Sequence, residues 1–394
     1  MKILIASTLY HPTMLGGAEK IAQIVAEGLR DAGHEVAVVT TCAEPGHRTA
    51  QVNGVTVHYV GLKNLYWPYD PTPKSALHKA LWHLIDTYNP RMGRIFDRIL
   101  ALEKPDAINT HSLSGFSSAI WRRARLRGIP VHHTLHDYSL MCPKATMYKA
   151  GKNCTGQCGT CRMYTAASKH FSGTVSAAIG VSKFTLERHL QAGYFKHARV
   201  RRTIHNGLPE KNHPQRMLQP GPAPLCIGYV GRLVPQKGVE MLLQAMPALA
   251  PYGCTLMIGG RGTADYESYL KQRYASDTVR FLGFVDPDTV YAQIDVLVVP
   301  SLWEEPLGTI VLEAYACGIP VIVADSGGMK EMVEHERTGF IFDRDDPHAL
   351  QAALLRFVLD RTLAPRLQEA VRIKSRDFTL ERMKADYLAI LQPA

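Results

Sequence analysis

The order of apolar and amphipathic segments predicts an α/β protein whose sheets are largely parallel. Apolar runs of strand length alternate with amphipathic segments of helical length, which is the pattern of consecutive βαβ units. The first unit is the clearest, because Ile3–Ser7 predicts a strand, Ala18–Ala32 a helix that ends at Gly33, and Glu35–Thr40 a second strand. The same half of the chain predicts four more strands and two more helices, at Val55–Val60, Ala107–Thr110, Val131–Leu135, Ala178–Val181, Ser75–Tyr88 and Arg91–Leu102.

A second series of strands and helices follows a stretch that lacks any periodicity. Residues 206–224 are rich in Pro, Gly and polar residues, which predicts a linker. Beyond it, strands are predicted at Cys226–Val230, Thr255–Gly259, Val279–Leu282, Val296–Val299 and Val321–Ala324, with helices such as Val239–Leu249 and Thr309–Cys317 between them. A chain of 394 residues is long for one core. We therefore predict two Rossmann-like, doubly wound domains, residues 1–205 and 225–376, followed by a closing segment 377–394.

Charge is distributed unevenly along the chain. Residues 1–220 hold 28 Lys and Arg against 13 Asp and Glu, whereas residues 221–394 hold 17 against 22. The basic half predicts an anionic partner, and a solvated basic surface is the alternative. No apolar stretch is long enough for a membrane span, and the first residues are unlike an export signal, so we expect a cytoplasmic protein. Eight cysteines in a reducing compartment favour metal ligation over disulfides.

Two loops have the composition of a phosphate-binding site. Gly16 and Gly17 stand before the first helix, where small residues allow a ligand to approach the backbone. No G-x-G-x-x-G follows the first strand, so the main support for a dehydrogenase is missing. After strand Cys226–Val230, Arg232 and Lys237 come before a predicted helix, and together they could clamp a diphosphate.

The segment after strand Val296–Val299 places two glutamates at an E-x7-E spacing. Glu305 lies in the predicted loop and Glu313 in the following helix. The N–H groups of Leu307, Gly308 and Thr309 could meet the phosphate of a donor, while a carboxylate on the helix could accept both hydroxyls of a ribose. Glutamates on helices are mostly solvated, so the spacing alone decides little.

These motifs occur in one order along nearly the whole chain: GGAE, GRLVPQKG, MIGGRG, VRFLGFV, EPLGTIVLEA and GIPVIVADSGG. In this combination the chain resembles the family 4 retaining glycosyltransferases, which have the GT-B fold of two Rossmann-like domains facing across a cleft. The helix Leu380–Leu391 resembles the segment that crosses back to the N-terminal domain in that fold. Leu307 stands where phenylalanine is common in the family, a small departure.

The resemblance implies a nucleotide-sugar donor, UDP- or GDP-linked, and a role for each motif. Gly16 and Gly17 would approach the donor phosphates, and Arg232 and Lys237 would bind the diphosphate. Glu305 with its loop would hold the transferred sugar, and Glu313 would bind the ribose. His136, directly after strand Val131–Leu135, resembles the family's sugar-facing histidine, and His111 is a weaker candidate of the same kind. No metal is expected to be needed for catalysis.

A cysteine cluster predicts a structural metal site within an insertion at 142–162. Cys142, Cys154, Cys158 and Cys161 fall in one loop-like segment with spacings C-x11-C-x3-C-x2-C. Four thiolates at short spacing suit tetrahedral zinc, an iron–sulfur cluster uses the same ligands, and unligated thiols are the alternative. Basic residues in the same stretch are expected to lower the thiol pKa values.

The acceptor is expected to be a glycan or a lipid-linked molecule. The aromatic-rich run Leu65-Tyr66-Trp67-Pro68-Tyr69 and the arginines Arg91, Arg94 and Arg98 predict contact with an anionic membrane surface, with a buried aromatic cluster as the alternative. We expect no nucleic acid partner, and a reaction in bacterial cell-surface polysaccharide or glycolipid biosynthesis. Two other functions are weighed: a GT-B nucleotide-sugar epimerase, and a non-catalytic basic protein that binds membrane or nucleic acid.

Overall fold

A computed structural model describes residues 1–14, 16–208, 213–214, 216–221 and 223–391. Contacts divide the chain into two units. Unit 1 comprises residues 1–147, 155–205 and 383–394, and unit 2 comprises residues 148–154 and 206–382. The predicted linker 206–224 therefore lies partly outside the described residues, as do the last three residues of the closing segment.

Unit 1 contains one large sheet with helices between its strands. Its strands are β1 (Lys2–Ser7), β2 (Glu35–Cys42), β3 (His47–Val52), β4 (Val55–Gly61), β5 (Ala107–Thr110), β6 (Val131–Leu135), β9 (Ala177–Gly180) and β10 (Val200–Thr203). Its helices are α1 (Gly17–Asp31), α2 (Ala76–Thr87), α3 (Pro90–Glu103), α4 (Ala119–Leu126), α5 (Gly159–Ser172) and α6 (Lys183–Gln191). A hairpin assigned to unit 2, β7 (Tyr148–Lys149) and β8 (Lys152–Asn153), interrupts this order.

The strand order in unit 1 is β10-β9-β6-β5-β1-β2-β4-β3. All neighbouring strands are parallel except β3, which pairs with β4 in the antiparallel sense. Strands β1, β5 and β6 are buried almost throughout, because helices cover both faces of a parallel sheet. The chain order reverses beside β1, whose neighbours are β5 and β2, so the loops after β1 and β5 meet at a topological switch point.

Unit 2 is built on a six-stranded parallel sheet of order β13-β12-β11-β14-β15-β16. Its strands are β11 (Cys226–Val230), β12 (Thr255–Gly259), β13 (Val279–Gly283), β14 (Val296–Val299), β15 (Val321–Ala324) and β16 (Gly339–Phe342). Its helices are α7 (Val239–Leu249), α8 (Ala264–Tyr274), α9 (Pro287–Tyr291), α10 (Thr309–Ala316), α11 (Ala349–Leu359) and α12 (Leu363–Ser375), with 3-10 turns at 235–237, 250–252, 327–331 and 376–378. This is the 3-2-1-4-5-6 order of a Rossmann sheet, and its switch point lies between β11 and β14.

The final helix α13 (Leu380–Leu391) begins in unit 2 and continues from Met383 in unit 1. In unit 1 the hydroxyl of Tyr387 donates to the Thr134 hydroxyl at 3.3 Å, and the Tyr387 ring stacks over His111 with centroids 6.3 Å apart. Tyr387, Thr134 and His111 are all buried. This part of α13 therefore lies against the carboxyl ends of β5 and β6.

The predicted strands and helices are confirmed within one or two residues, and the differences have local causes. Three strands at the edges of the sheets, β3, β10 and β16, were missed. The side chains of β3 and β10 are mostly exposed and polar, as expected of edge strands. The segment of the four cysteines is not simply a loop. It contains the β7–β8 hairpin, and Cys161 lies in the first turn of α5.

Candidate functional site

In unit 2, two loops meet at the switch point of the sheet. One leaves β11 and contains Arg232 and Lys237, and the other leaves β14 and leads through Glu305 into α10. The backbone joins them, because the N–H groups of Leu302 and Trp303 donate to the Gln236 carbonyl at 3.0 and 3.3 Å. Ligands of open α/β sheets bind at this position. The structure thus places the two predicted donor motifs side by side.

Three donors converge on the Glu305 carboxylate. Its Oε1 accepts hydrogen bonds from the Lys237 ammonium, from the Ser301 hydroxyl at 2.6 Å and from the Trp303 indole N–H at 2.8 Å. The Glu305 side chain is only 6% exposed, whereas that of Lys237 is 23% exposed. A buried carboxylate needs such partners, and here they fix one orientation of the loop.

Glycines let the backbone of these loops approach closely. Gly238 has φ of 69°, and a Cβ there would lie 1.8 Å from the Pro300 carbonyl oxygen. Gly327 has φ of 58°, and a Cβ there would lie 2.1 Å from the Glu305 carbonyl oxygen, which also accepts from the Gly328 N–H at 2.7 Å. At each of these two positions only glycine fits. The Glu305 loop is therefore held from both sides by backbone.

The remaining predicted donor residues surround this loop. Arg232 is exposed, and Leu307 is buried in the core of the unit. Gly308 has a left-handed conformation with φ of 82° and caps α10, whose first residue is Thr309. Glu313 lies one turn further along α10, and its Oε2 accepts from the Tyr291 hydroxyl at 3.0 Å.

Asn153, at the end of the β7–β8 hairpin, binds the same loop within unit 2. Its side-chain amide donates to the Leu302 carbonyl at 2.8 Å and accepts from the Glu304 N–H at 2.9 Å. These two bonds hold the backbone on either side of Trp303. Sequence reasoning missed Asn153, Ser301 and Trp303. The only signal for the last two was their position beside Glu305.

In unit 1, the first glycine motif stands at the N-terminus of α1. Gly16 caps the helix with an extended backbone, and both Gly16 and Gly17 are exposed. Open space surrounds Gly17, and the nearest atom to a Cβ on Gly16 would be Glu19 Oε2 at 3.2 Å. That carboxylate oxygen is buried and has no hydrogen-bond partner among the described residues.

His111 and His136 form a stacked pair at the ends of the adjacent strands β5 and β6. His111 Nδ1 and His136 Nε2 are 2.8 Å apart, and the ring centroids are 5.1 Å apart. Burial lowers the pKa of His136 to about 4 and holds the pKa of His111 well below its usual value. Both rings are therefore neutral at neutral pH, and one donates its proton to the other. The prediction named the two histidines separately, and the structure pairs them.

The structure brings some of the predicted metal ligands together. Within unit 1, the thiols of Cys142 and Cys158 are close enough to that of Cys161 to affect its pKa, although their three sulfur atoms do not all lie within 4.8 Å of one another. Cys154 belongs to unit 2. The expected lowering of thiol pKa is wrong for Cys161. Burial, followed by the neighbouring thiols, raises its pKa to about 12, because the basic residues of the segment do not offset these effects.

A different set in unit 2 has the donor atoms of a metal site. His213, Asp288 and Cys317 bring one nitrogen, one oxygen and one sulfur within 4.8 Å of one another, and no other such group occurs in the described ranges. His213 Nδ1 lies 3.3 Å from the Asp288 carboxylate. No pattern in the sequence pointed to this set, since its three residues are far apart along the chain.

The two sheets, their switch points and the paired loops define a glycosyltransferase of the GT-B fold. Residues 16–207 match the family described as glycosyl transferase 4-like domain, and residues 224–360 match glycosyl transferases group 1. The chain belongs to the group 1, family 4-like glycosyltransferases.

Individual relatives cover most of the chain. An uncharacterized 42.6 kDa protein in the cps region of Klebsiella pneumoniae is 33% identical over 333 residues, 84% of this chain and 87% of that protein. An uncharacterized glycosyltransferase of Methanocaldococcus jannaschii is 29% identical over 390 residues, 91% of this chain and 90% of that protein.

Solved structures share the fold at lower identity. Sucrose-phosphate synthase from Thermosynechococcus elongatus has a TM-score of 0.76 at 23% identity, with 99% of this chain and 98% of that chain covered. Anabaena HepE in complex with UDP-glucose has a TM-score of 0.69 at 21% identity, with 99% and 100% covered. Among the described residues, no helix combines the length and the apolar character that crossing a bilayer requires.

Proposed function

We propose that the protein transfers a hexosyl group, with retention of configuration, from a UDP- or GDP-linked sugar to a glycan or lipid-linked acceptor. The observation that carries the proposal is the Glu305 carboxylate, buried and bound by Lys237 beside the N-terminus of α10. A cation beside the N–H groups of a helix N-terminus could stabilise a departing diphosphate. HepE, a structural neighbour, binds UDP-glucose. The Klebsiella relative from the cps region supports a place in cell-surface polysaccharide or glycolipid biosynthesis.

Each residue has a proposed role in that reaction. Arg232 and Lys237 bind the diphosphate and offset the negative charge that builds on it as the glycosidic bond breaks. The N–H groups at Leu307, Gly308 and Thr309, together with Gly16 and Gly17, contact the phosphates. His136, held neutral, binds the transferred sugar by hydrogen bonding, and Glu305 orients the loop against it. No catalytic metal is part of this proposal.

Radiolabelled nucleotide sugars test the function directly. Incubation with UDP-, GDP- and ADP-linked hexoses should give slow release of free sugar from one cognate donor, because water replaces the acceptor. Calorimetry with the three nucleoside diphosphates should select the same base. An epimerase would convert the sugar without releasing it, and a non-catalytic binding protein would release none. Either result would overturn the proposal.

The ribose role of Glu313 gives a kinetic prediction. Glu313→Ala should raise the donor KM by about 10-fold or more with little change in kcat. The hydrogen bonds to the ribose that this variant loses are equally strong in the ground state and in the transition state. Tyr291→Phe removes only the hydroxyl that orients Glu313 and should have a smaller effect in the same direction. A fall in kcat at unchanged KM for Glu313→Ala would contradict this role.

We propose that unit 1 docks on an anionic membrane surface, as a peripheral cytoplasmic protein, through helix α2. Leu77, Leu81 and Leu84 are 68%, 42% and 54% exposed, and their i, i+4, i+7 spacing puts them on one face of the helix. Leu65 and Tyr69, just before the helix, are exposed as well. The next helix, α3, exposes Arg91, Arg94 and Arg98 on one face. Apolar side chains beside cations suit the boundary of an anionic bilayer.

Vesicle co-sedimentation tests this surface. The wild type should bind vesicles containing phosphatidylglycerol at low salt and bind phosphatidylcholine vesicles weakly. The triple variant Leu77→Ser, Leu81→Ser, Leu84→Ser should bind these vesicles with an affinity about 10-fold or more lower. It lacks the three leucine side chains that the bilayer would otherwise bury. A matched control replaces the exposed residues Leu126, Leu359 and Ile373, which lie outside α2 and α3, in the same way. Equal loss in both triple variants, or no binding by the wild type, would contradict the proposal.

We propose that Cys142, Cys154, Cys158 and Cys161 bind one structural zinc, with an iron–sulfur cluster as the alternative. The support is the spacing of the four thiols and the proximity of the Cys161 thiol to those of Cys142 and Cys158. A tetrahedral sulfur set suits either metal centre. Binding would require the thiols to lose their protons, which a cation favours strongly.

Elemental analysis distinguishes these states. Protein purified without chelator should contain about one zinc per chain, or iron and sulfide with visible absorption. Cys158→Ser should lose most of the metal, whereas Cys226→Ser in the unit 2 sheet should retain it. Metal-free wild-type protein with full activity would exclude the site.

The domain boundaries stay part of the proposal. Residues 1–205 would form the acceptor-side domain, with the cysteine-rich insertion 142–162. Residues 206–224 would form the linker, residues 225–376 the nucleotide-sugar domain, and residues 377–394 the closing segment that returns to the N-terminal domain. No nucleic acid partner is part of this assignment.

A further inference from the structure

Three residues that are distant along the chain bring a nitrogen, an oxygen and a sulfur together in unit 2. Asp288 lies in the first turn of α9, and Cys317 directly follows α10. His213 belongs to the segment that precedes β11. The three donor atoms all lie within 4.8 Å of one another. None of these residues belongs to the donor loops, so this set needs a separate explanation.

Contacts beside this set hold its separate segments together. The side-chain amide of Gln368, on α12, donates to the Arg216 carbonyl at 2.7 Å and to the Gly318 carbonyl at 3.0 Å. Arg216 comes three positions after His213, and Gly318 comes directly after Cys317. Gln368 is buried, so these bonds are shielded from water. The approach of His213 to Cys317 is therefore supported by the fold around it.

The distances within the set suit a tetrahedral metal ion. Nitrogen and oxygen ligands about 2.0–2.1 Å from zinc lie about 3.3 Å apart in a regular tetrahedron. His213 Nδ1 and Asp288 Oδ1 are 3.3 Å apart, which is longer than the usual N–H···O hydrogen bond of about 2.9 Å. A zinc-bound sulfur would lie about 3.6 Å from each of them, so a shift of about 1 Å brings Cys317 into place.

The imidazole of His213 is also short of a partner. Its side chain is only 11% exposed, and its Nε2 is buried with no hydrogen bond to any group in the described ranges. Buried polar atoms of proteins are normally bonded, and an exception points to a water or an ion. With Nδ1 beside Asp288, a metal ligand at this ring would account for the buried nitrogen that the protein itself leaves unsatisfied.

Acidic groups surround the sulfur atom of Cys317. Burial, and after it the carboxylates of Asp288 and Glu313, raise the pKa of this thiol to about 12. The sulfur therefore lies in a buried place close to two carboxylates. These charges attract a divalent cation, and a bound cation in turn favours the thiolate that would ligate it.

The kinds of donor atom select among metals. Zinc accepts imidazole nitrogen, thiolate sulfur and carboxylate oxygen together, whereas magnesium and calcium take oxygen ligands. Three protein ligands leave a fourth position for water. The Asp288 side chain is 35% exposed, so solvent reaches the set and a metal can enter and leave.

We propose that His213, Asp288 and Cys317 bind one zinc ion that exchanges with the solvent, and that this ion fastens the segment before β11 to α9 and α10. Zinc binding here is independent of the proposed transfer reaction, because none of the three residues has a role in it. It is also separate from the four-cysteine segment, with which it shares no residue.

Zinc titration of the full chain tests the site. Every sample carries Cys158→Ser, so that the four-cysteine segment is disabled, and zinc is added after purification with a chelator that is then removed. Competition with a chromogenic chelator should show one zinc per chain that depends on Cys317. Adding Cys317→Ser should lower this zinc affinity by about 100-fold or more, since even a second-shell change costs about 10- to 100-fold. Asp288→Asn and His213→Gln should each lower it by about 10-fold or more.

Two further measurements report on the ligands and on the fastened segment. Cobalt in place of zinc should give a thiolate-to-cobalt charge-transfer band that Cys317→Ser removes. Cys254→Ser, which changes another buried cysteine of unit 2, is the matched control and should keep both the band and the zinc affinity. Zinc should slow hydrogen exchange in a peptide that spans residues 213–218, and it should have no such effect in Cys317→Ser.

Several outcomes would overturn the site. Zinc affinity could be equal in Cys317→Ser and Cys254→Ser, or millimolar magnesium could displace the zinc, which a sulfur-containing set does not allow. If thermal unfolding shows that Cys317→Ser does not fold, Asp288→Asn decides, because this change keeps the shape of a partly exposed side chain, and unchanged zinc affinity would then exclude the site. Absence of donor hydrolysis in the wild type would bear on the transferase function alone.

Discussion

Replacing Glu305 with alanine is expected to lower kcat by about 100- to 1,000-fold, the scale of a lost electrostatic group at a reacting centre. The carboxylate accepts from Lys237, Ser301 and Trp303, so its removal leaves three donors without their common acceptor. The loop that leads into α10 would then lose its orientation. Steady-state kinetics with the cognate donor measure the effect, and nucleoside-diphosphate affinity should change much less than kcat.

A matched control for this variant is Glu336→Ala, which removes a carboxylate from an exposed ion pair with Arg356 in the same unit. Its kcat should equal that of the wild type, since surface pairs contribute little. If Glu305→Ala retained kcat within about 3-fold of the wild type, Glu305 would not act at the transferred sugar.

Replacing Lys237 with alanine should weaken nucleoside-diphosphate binding by about 1.5–3 kcal/mol, which is the cost of a lost hydrogen bond to a charged group. The Lys237 ammonium is partly exposed and lies 5.5 Å from the centre of the Trp303 ring, so it can reach a ligand while bound to Glu305. Arg232→Ala should weaken nucleoside-diphosphate binding by a similar amount. Isothermal titration calorimetry with UDP and GDP gives the measurement.

Lys330→Ala provides the comparison for Lys237→Ala, because Lys330 forms an exposed ion pair with Asp325 outside both donor loops. Its nucleotide affinity should be that of the wild type. Unchanged affinity in both Lys237→Ala and Arg232→Ala would remove the diphosphate clamp. A loss in Lys237→Ala that Glu305→Ala reproduces in full would instead indicate that the ion pair, not the cation, is what matters.

The sequence was enough to predict most strands of both sheets, because buried parallel strands such as β1 and β14 form apolar runs bounded by loops. It also predicted both donor loops, since their charged residues and glycines stand directly after strands. It could not predict that Lys237 and Glu305 bind each other, because the two residues are 68 positions apart and their contact depends on which strands are neighbours in the sheet.

Other parts of the site carry no local pattern at all. Asn153 binds a loop 149 residues away along the chain. The cysteine cluster was visible as composition, but spacing did not reveal that Cys161 belongs to helix α5 or that Cys154 belongs to unit 2. In each case the missing information is a long-range contact.

The hydrogen bonds of Asn153 have a consequence for protein engineering. The hairpin that contains it, β7–β8, is part of the cysteine-rich insertion, yet it braces the backbone at Leu302 and Glu304. The insertion is therefore not an interchangeable module. A chimera that exchanged residues 142–162 with a relative's, in order to change acceptor choice, would also remove a support of the donor loop. Such a graft should keep Asn153 in register, so that a change in acceptor preference is not mistaken for a defect in donor use.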